Sequence, residues 1–170
     1  MVVPNNIITN KGFDLAEMAR QNPVFLVFLR HFGCIFCKEA LYDIHKIQDY
    51  LLENSVVTVF VHMDTAERAE TYFEDFKLKK VQHISDPACH LYHQFGLKKG
   101  KISQLYGLKT WIRGFEAKKK GLQYSLNKEG DSMQMPGIFI LCDGKVKDRY
   151  LHNTISDQPD YIKLIECCIN

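Results

Sequence analysis

Two cysteines separated by two residues are the part of this sequence best suited to chemistry. Cys34 and Cys37 lie in the segment RHFGCIFC, residues 30–37, between an apolar run and a segment with helical spacing. The unpaired N–H groups at a helix N-terminus stabilise an anion and can lower a thiol pKa from about 8.5 to roughly 3.5–7.5. We therefore predict that Cys34 is an exposed nucleophile. Cys37, one turn further on, is predicted to be more buried and to resolve the mixed disulfide.

Basic residues flank this pair in the sequence. Arg30 and His31 precede Cys34, and Lys38 follows Cys37. Positive charge near a thiol favours its thiolate form. We therefore predict that Arg30 and His31 contribute to substrate binding, with His31 an electrostatic neighbour of Cys34.

A zinc site is the main alternative for the same spacing. Cys-x-x-Cys is also a zinc-binding pattern, and Cys89, His90 and His93 offer further ligands. Structural zinc pairs are more usual on short loops than between a buried strand and a long helix, so we favour redox chemistry and predict no metal and no cofactor. A third possibility is a buried, unreactive pair of cysteines.

The elements around the pair predict a βαβ unit. Residues 24–30 form a continuous apolar run, 38–52 carry apolar residues at helical spacing, and 56–61 are rich in β-branched residues. Strand, helix and strand in this order imply two parallel strands joined by a right-handed crossover.

Further elements follow along the chain. The patterns predict a helix that is capped by Asp64 or Thr65 and ends at Lys77, and then a short strand over 81–85. A second helix is predicted to start at Asp86-Pro87 and to reach Phe95. The chain is predicted to finish with a hairpin of strands 138–142 and 146–151 around Asp143-Gly144 and a closing helix over 160–168.

This layout resembles the thioredoxin superfamily. Within it, FLRHFGCIFCKEAL and GDSMQMPGIFIL are similar to the AhpC/TSA-like group, often called peroxiredoxin-like or selenoprotein-L-related proteins. The resemblance covers roughly residues 22–155. It implies an α/β fold, a thioredoxin-like three-layer sandwich with a central mixed sheet flanked by helices. It also implies a redox dithiol at Cys34 and Cys37, disulfide or peroxide substrates, and a small thiol or thioredoxin-like protein as electron donor.

The resemblance carries over to Met135 and Pro136. In a thioredoxin-like fold, a cis-proline that faces the dithiol precedes the corresponding strand. We therefore expect a cis Met135–Pro136 bond, with the backbone of Met135 offered to an extended substrate. An X-Pro bond is the one type for which the cis form costs only about 0.5–1 kcal/mol.

Length, composition and charge limit the protein class. The chain has 170 residues, 46% of them hydrophobic, and a net charge of +2. These values favour one compact domain spanning 1–170 and give no reason to expect nucleic acid as a partner. No apolar run is long enough to cross a membrane, and no signal peptide is recognisable, so we expect a cytoplasmic protein without a membrane partner. In that compartment most of its six cysteines are expected to be free thiols.

The segment 97–128 differs from the rest of the chain. It holds nine basic residues and one acidic residue, a net charge of +8, whereas the remainder carries −6. We predict a basic insertion that is packed on the domain by Trp111, Ile112 and Phe115. It is either a solvated insertion or a docking surface for an acidic redox partner.

One departure from the resemblance decides between the two redox activities. Typical peroxiredoxins have a Pro and a Thr or Ser seven and three residues before the reactive cysteine, where this chain has Val27 and His31. We therefore favour a thiol-disulfide oxidoreductase over a peroxiredoxin-like peroxide reductase. The non-enzymatic alternatives are a thioredoxin-like binding module and a zinc-binding protein.

Overall fold

A computed structural model describes residues 1–78, 81–122 and 130–169 of the chain. Its centre is a five-stranded mixed sheet with strand order β3-β2-β1-β4-β5. The first three strands are mutually parallel, while β4 is antiparallel to β1 and β5 is antiparallel to β4. The strands are β1 (Val24–Phe28), β2 (Val57–His62), β3 (Gln82–Ser85), β4 (Gly137–Cys142) and β5 (Lys145–Leu151).

Seven α-helices and a final 3₁₀ turn occur in the described part of the chain. They are α1 (Leu15–Gln21), α2 (Ile35–Glu53), α3 (Ala66–Asp75), α4 (His90–Gln94), α5 (Ile102–Tyr106), α6 (Leu108–Lys119), α7 (Tyr161–Ile165) and the 3₁₀ turn Glu166–Cys168. The predicted α/β thioredoxin-like architecture is confirmed, including the parallel pairing of β1 and β2.

The central strand β1 is buried on both faces because helices cover both sides of the sheet. Phe25 and Val27 join a core that includes side chains of α2, α3 and α7. Val24, Leu26 and Phe28 join a second core with α1 and α4. The alternation of side chains along the strand thus divides one continuous apolar run between two cores.

The dithiol helix begins earlier than the sequence pattern predicts. The apolar spacing starts at Lys38, whereas α2 begins at Ile35, with Cys34 as the N-cap residue at the helix N-terminus, as predicted for this cysteine. Ile35 and Phe36 are buried, so packing against the core favours helix from the first residue after Cys34. Cys37 consequently lies in the first helical turn.

The hairpin after Pro136 has the predicted turn. Asp143 and Gly144 have φ values of 52° and 68°, and Cys142 pairs with Lys145 across a two-residue loop. Positive φ at both central positions is the geometry that makes Asp-Gly favourable there.

Helix α1 was missed by the sequence analysis. Its signals are Asp14, whose carboxylate accepts from the N–H groups of Ala16 and Glu17, and the buried residues Leu15 and Met18 at helical spacing. Helix α4 also starts later than predicted, at His90, although the Asp86 carboxylate still receives its first backbone N–H groups.

The basic insertion is held differently from our expectation. Ile112 and Phe115 are 54% and 61% exposed, so most of each side chain faces solvent, and the Trp111 side chain lies outside what the structure describes. The buried residues of α5 and α6 are instead Leu105, Thr110 and Ala117. Residues 123–129, also within the predicted insertion, lie outside the described residues.

Two ion pairs fasten the insertion to the dithiol helix. Glu39 of α2 is fully buried, and its carboxylate lies 3.2 Å from Arg113 and 2.6 Å from Lys120. Both cations belong to the basic segment, so the Glu39 carboxylate neutralises part of the positive charge of that segment.

Within the described ranges, none of the helices is both long and apolar enough to span a bilayer.

Candidate active site

The dithiol lies just beyond the carboxyl end of the central strand. After β1 ends at Phe28, the chain turns tightly, and the N–H of Cys34 donates to the carbonyl of His31 at 3.0 Å. The carbonyl of Cys34 then accepts the first helical hydrogen bond, from the N–H of Lys38 at 3.2 Å. Both sulfurs are thereby held at the N-terminus of α2, and both cysteines are reduced.

Arg30 connects the two cysteines to the loop before β4. Its backbone N–H donates to the sulfur of Cys37 at 3.2 Å, and its guanidinium donates to the sulfur of Cys34 at 3.3 Å. The guanidinium also donates to the carbonyls of Gln134, at 3.2 Å, and Ser132. Because these contacts fix the buried arginine, its charge stays next to Cys34.

The surroundings of Cys34 favour its thiolate. A hydrogen bond from the Cys37 thiol is the largest influence, and it outweighs burial, which acts in the opposite direction; the positive charge of Arg30 is the next favourable one. The backbone N–H groups of Cys37 and Phe36 also lower the Cys34 pKa, although the Cys34 side chain makes no capping hydrogen bond. Together they lower the Cys34 pKa to about 6.

The same contact has the opposite effect on Cys37. Donating its proton to the Cys34 sulfur raises the Cys37 pKa well above its usual value, and burial raises it further. At neutral pH the pair therefore consists of one thiolate and one thiol. This is the charge distribution needed for a nucleophile and a resolving partner.

Neither sulfur is exposed, contrary to our expectation for Cys34. Cys34 is 2% exposed and Cys37 is 4% exposed. Arg30 and the Ser132–Gln134 loop cover the helix N-terminus, and no local pattern predicts this burial because the loop lies about one hundred residues further along the chain.

Pro136 lies beside the dithiol, but its peptide bond is not the expected one. It lines the same small cavity as Arg30, Phe36 and Cys37. The described residues contain no cis peptide bond, so Met135–Pro136 is trans, which is the lower-energy isomer even before proline. The expectation of a cis bond is therefore wrong for this structure.

The backbone of Met135 is also engaged within the molecule. Its N–H donates to the carbonyl of Lys98 at 3.2 Å, and the N–H of Gly100 donates to the carbonyl of Met133 at 2.7 Å. The start of the basic segment thus pairs with the loop that we expected to receive a substrate backbone. Sequence reasoning could not see this pairing, because the two segments are separated by more than thirty residues.

An open groove borders the turn before the dithiol. It has a volume of about 570 Å³ and includes Phe32, Lys38, Arg68 and Tyr72 in its walls. The Phe32 and Tyr72 rings stack at 4.1 Å, and the Tyr72 hydroxyl donates to the Phe32 carbonyl at 3.1 Å. Tyr72 thus joins α3 to the turn before the dithiol through both its ring and its hydroxyl.

The residues proposed for zinc do not assemble around the dithiol. The Cys89 thiol contacts the Met63 sulfur at 3.4 Å, and burial raises the Cys89 pKa. Among the residues that the structure describes, no three His, Cys, Asp or Glu side chains are arranged to hold a metal ion. Val27 and His31, which stand where typical peroxiredoxins have a Pro and a Thr or Ser, are both buried.

Comparisons with known proteins agree with this geometry. Prostamide/prostaglandin F synthase from Salmo salar is 27% identical over 165 residues, covering 92% of this chain and 78% of the relative. Peroxiredoxin-like 2C from Bos taurus is 33% identical over 88 residues, covering 50% of this chain and 37% of the relative. No protein-family model matches.

A solved structure supports the fold independently. Peroxiredoxin 6 of Arenicola marina superposes with a TM-score of 0.68 at 13% identity, covering 97% of this chain and 69% of the other. These relatives and the fold are consistent with the resemblance to the AhpC/TSA-like group of the thioredoxin superfamily. The two motifs that carry the resemblance meet at Arg30, which joins the dithiol to the loop before β4.

Proposed function

We propose that the protein is a thiol-disulfide oxidoreductase in which Cys34 attacks and Cys37 resolves. The observation that carries the proposal is the placement of both sulfurs at the N-terminus of α2, where the Arg30 guanidinium donates to Cys34 and the Arg30 N–H donates to Cys37. The opposite pKa shifts of the two thiols support it, downward for Cys34 and upward for Cys37. Arg30 positions the Cys34 sulfur and holds positive charge against it. These roles follow from contacts of the chain itself and need no cofactor.

The reaction has two exchange steps. The Cys34 thiolate attacks one sulfur of a disulfide RSSR, so that a Cys34–SR bond forms, the RS–SR bond breaks and RS⁻ leaves. Cys37 then loses its proton and attacks the Cys34 sulfur, which expels the second RS⁻ and leaves a Cys34–Cys37 disulfide. A small thiol or a thioredoxin-like donor returns two electrons and restores the dithiol.

Substrate access requires a local movement, since Cys34 is buried. The groove beside Phe32 is an open surface that borders the dithiol turn. Its walls hold two cations, Lys38 and Arg68, two acids, Glu67 and Asp75, and the aromatic rings of Phe32 and Tyr72. We propose it as the approach for substrate, with His31 in the turn between groove and dithiol. Met135 and Pro136 shape the other side of the site.

Trapping experiments test the two roles. Cys37→Ser is expected to accumulate a mixed disulfide at Cys34 when treated with a small disulfide, because the second step is blocked. Cys34→Ser is expected to trap no partner, and Cys89→Ser, which alters a buried thiol outside the site, is expected to behave like the wild type. Mass spectrometry of acid-quenched samples measures the adduct. Trapping through Cys37 in Cys34→Ser would reverse the assignment.

Peroxide reduction is the second candidate, supported by the peroxiredoxin-like relative and by the low Cys34 pKa. The hydroxyl that typical peroxiredoxins place three residues before the cysteine is replaced by His31. We therefore expect stopped-flow measurements on the reduced protein to give faster oxidation by a small disulfide than by hydrogen peroxide at equal concentration. Faster oxidation by peroxide would instead assign an antioxidant peroxidase.

The relative that matches along most of this chain suggests a third assay. Its name refers to formation of prostamide and prostaglandin F. Product formation by the reduced wild type, absent from Cys34→Ser, would assign that substrate class to the same dithiol.

We propose a cytoplasmic location, where thiol donors of the required kind are present.

A further inference from the structure

Three further cysteines lie together at the opposite end of the sheet. Cys142 ends β4, while Cys167 and Cys168 belong to the 3₁₀ turn that follows α7. The sulfurs of Cys167 and Cys168 are 3.6 Å apart. Their 3₁₀ turn packs against β4 and β5, which places Cys168 near Cys142. All three are reduced. Two separate elements thus bring three thiols into one cluster.

This cluster is separate from the dithiol. The sheet pairs Val24 with Leu141 and Phe28 with Gly137, so Cys142 lies beyond the beginning of β1 while Cys34 and Cys37 lie beyond its end. A strand of five residues spans about 17 Å at roughly 3.4 Å per residue. The two groups of thiols therefore cannot exchange directly within one molecule.

Covalent geometry selects the pair that can bridge. Cα atoms of adjacent residues are about 3.8 Å apart, which is shorter than the roughly 4.4–6.8 Å usual for a disulfide. A bond between Cys167 and Cys168 would consequently be strained, although their sulfurs are close. Cys142 and Cys168 belong to different elements and are free of this restriction.

The cluster is accessible and has a cation beside it. Cys142 and Cys168 are half-buried, and Cys167 is exposed. Lys147 interacts electrostatically with both Cys142 and Cys168 and is paired with Asp143 at 2.9 Å.

We propose that Cys142 and Cys168 form a second thiol-disulfide site, which a low-molecular-weight disulfide of the glutathione class oxidises. The Cys142 thiolate attacks the disulfide, forming a mixed disulfide and releasing the first thiolate. Cys168 then loses its proton and attacks the Cys142 sulfur, releasing the second. The two cysteines are oxidised to one disulfide, and the small disulfide is reduced to two thiols. The new bond fastens the C-terminal turn to β4.

The second step has a characteristic pH dependence. Burial, followed by hydrogen bonds with Cys142 and Cys167, raises the Cys168 pKa. Fewer molecules hold Cys168 as thiolate at neutral pH, so release of the second thiol is expected to accelerate as pH rises above 7. The acid and base groups around the pair are the thiols of Cys142 and Cys167, Lys147, and Asp143 paired with it.

The test uses the whole chain in glutathione redox buffers, followed by acid quenching, alkylation and peptide mapping. Wild type and the Cys34→Ser/Cys37→Ser double variant are both expected to form the Cys142–Cys168 link. One tryptic peptide holds Cys167 and Cys168 together, so Cys167→Ser is the matched control that assigns the bond, and it is expected to retain the link. Cys142→Ser is expected to lose it.

A bridge of this kind is expected to raise Tm by about 5 °C or more, because it closes a loop of the unfolded chain. The proposal is overturned if Cys167 links to Cys168 instead, if only mixed disulfides form, or if the bridge disappears from the double variant. Failure of the Cys34 trapping experiment would leave this site unaffected, since the double variant lacks both thiols of the proposed reaction.

Discussion

Arg30 acts on both cysteines through different parts of one residue. Its backbone N–H donates to Cys37, and its guanidinium donates to Cys34. The side chain is also held by the carbonyls of Ser132 and Gln134, so the cation cannot swing away from the sulfur. The low Cys34 pKa therefore depends on a loop that lies about one hundred residues further along the chain.

The pH dependence of Cys34 alkylation reports these contacts directly. The rate is expected to rise with pH around a midpoint near 6 and then to level off, because only the thiolate reacts. Cys37→Ala removes the hydrogen-bond donor with the largest influence and is expected to shift the midpoint upward by more than one pH unit. Cys37→Ser retains a donor and is expected to shift it less.

Arg30→Gln provides a second test of the same pKa. Loss of the positive charge is expected to raise the midpoint, by less than Cys37→Ala does, and to slow alkylation at pH 7. Arg20→Gln changes an exposed arginine of α1 far from the dithiol and is the control. A midpoint that stays near 6 in Arg30→Gln would show that the helix N-terminus and Cys37 alone stabilise the thiolate.

Helix α2 carries the dithiol at its beginning and the buried Glu39 only two residues after Cys37. The Glu39 carboxylate forms ion pairs with Arg113 in α6 and with Lys120, the residue that follows this helix. Lys98 and Gly100 tie the start of the same insertion to the loop that holds Arg30. The basic segment is thus attached to both sides of the site.

Breaking the Glu39 contacts is expected to loosen α6. Glu39→Gln leaves the partly exposed Arg113 and Lys120 without their carboxylate and is expected to lower the free energy of unfolding by about 2 kcal/mol, the loss typical of hydrogen bonds to a charged group. Glu116→Gln removes an exposed partner of Arg113 and is expected to cost about 1 kcal/mol or less. Denaturant unfolding measures both, and hydrogen exchange locates the effect in α6. Equal losses would contradict the role of burial.

The stability of the whole molecule depends on buried histidines that are neutral in the folded protein. Nδ1 of His62 accepts the N–H of Asp64, so its Nε2 carries the proton and donates to Nδ1 of His83 at 3.0 Å. Burial, with a smaller contribution from His83, lowers the His62 pKa to about 3. Burial also lowers the His152 pKa to about 4.

Stability is therefore expected to fall with pH below about 6.5. The unfolded chain binds a proton at His62 near its ordinary pKa, whereas the folded protein resists protonation until about pH 3, so acid favours unfolding throughout this window. For His62 alone the loss between pH 7 and pH 5 is about 2 kcal/mol. His62→Leu is expected to flatten this slope, and His90→Gln, an exposed site, is expected to leave it unchanged. An unchanged slope in His62→Leu would assign the acid sensitivity elsewhere.

The sequence determined most of the elements that surround the site and the cysteine pair at the junction of β1 and α2. The continuous apolar run of β1, the helical spacing after Cys37 and the Asp143-Gly144 turn are local patterns, because each is set by residues within a few positions of one another. Helix N-terminal placement and two-residue spacing also identified Cys34 and Cys37 as the candidate dithiol, and the motifs predicted the thioredoxin-like fold.

The tertiary structure decided what surrounds the pair. Cys34 is buried, the Met135 N–H is occupied by Lys98, and Glu39 rather than exposed Phe115 holds the insertion. Each of these facts depends on groups far apart in the chain, and no periodicity or spacing records which distant cation or carbonyl will reach a given side chain. The cluster of Cys142 and Cys168 has the same origin, since the sheet and the final turn bring together thiols that are 26 positions apart.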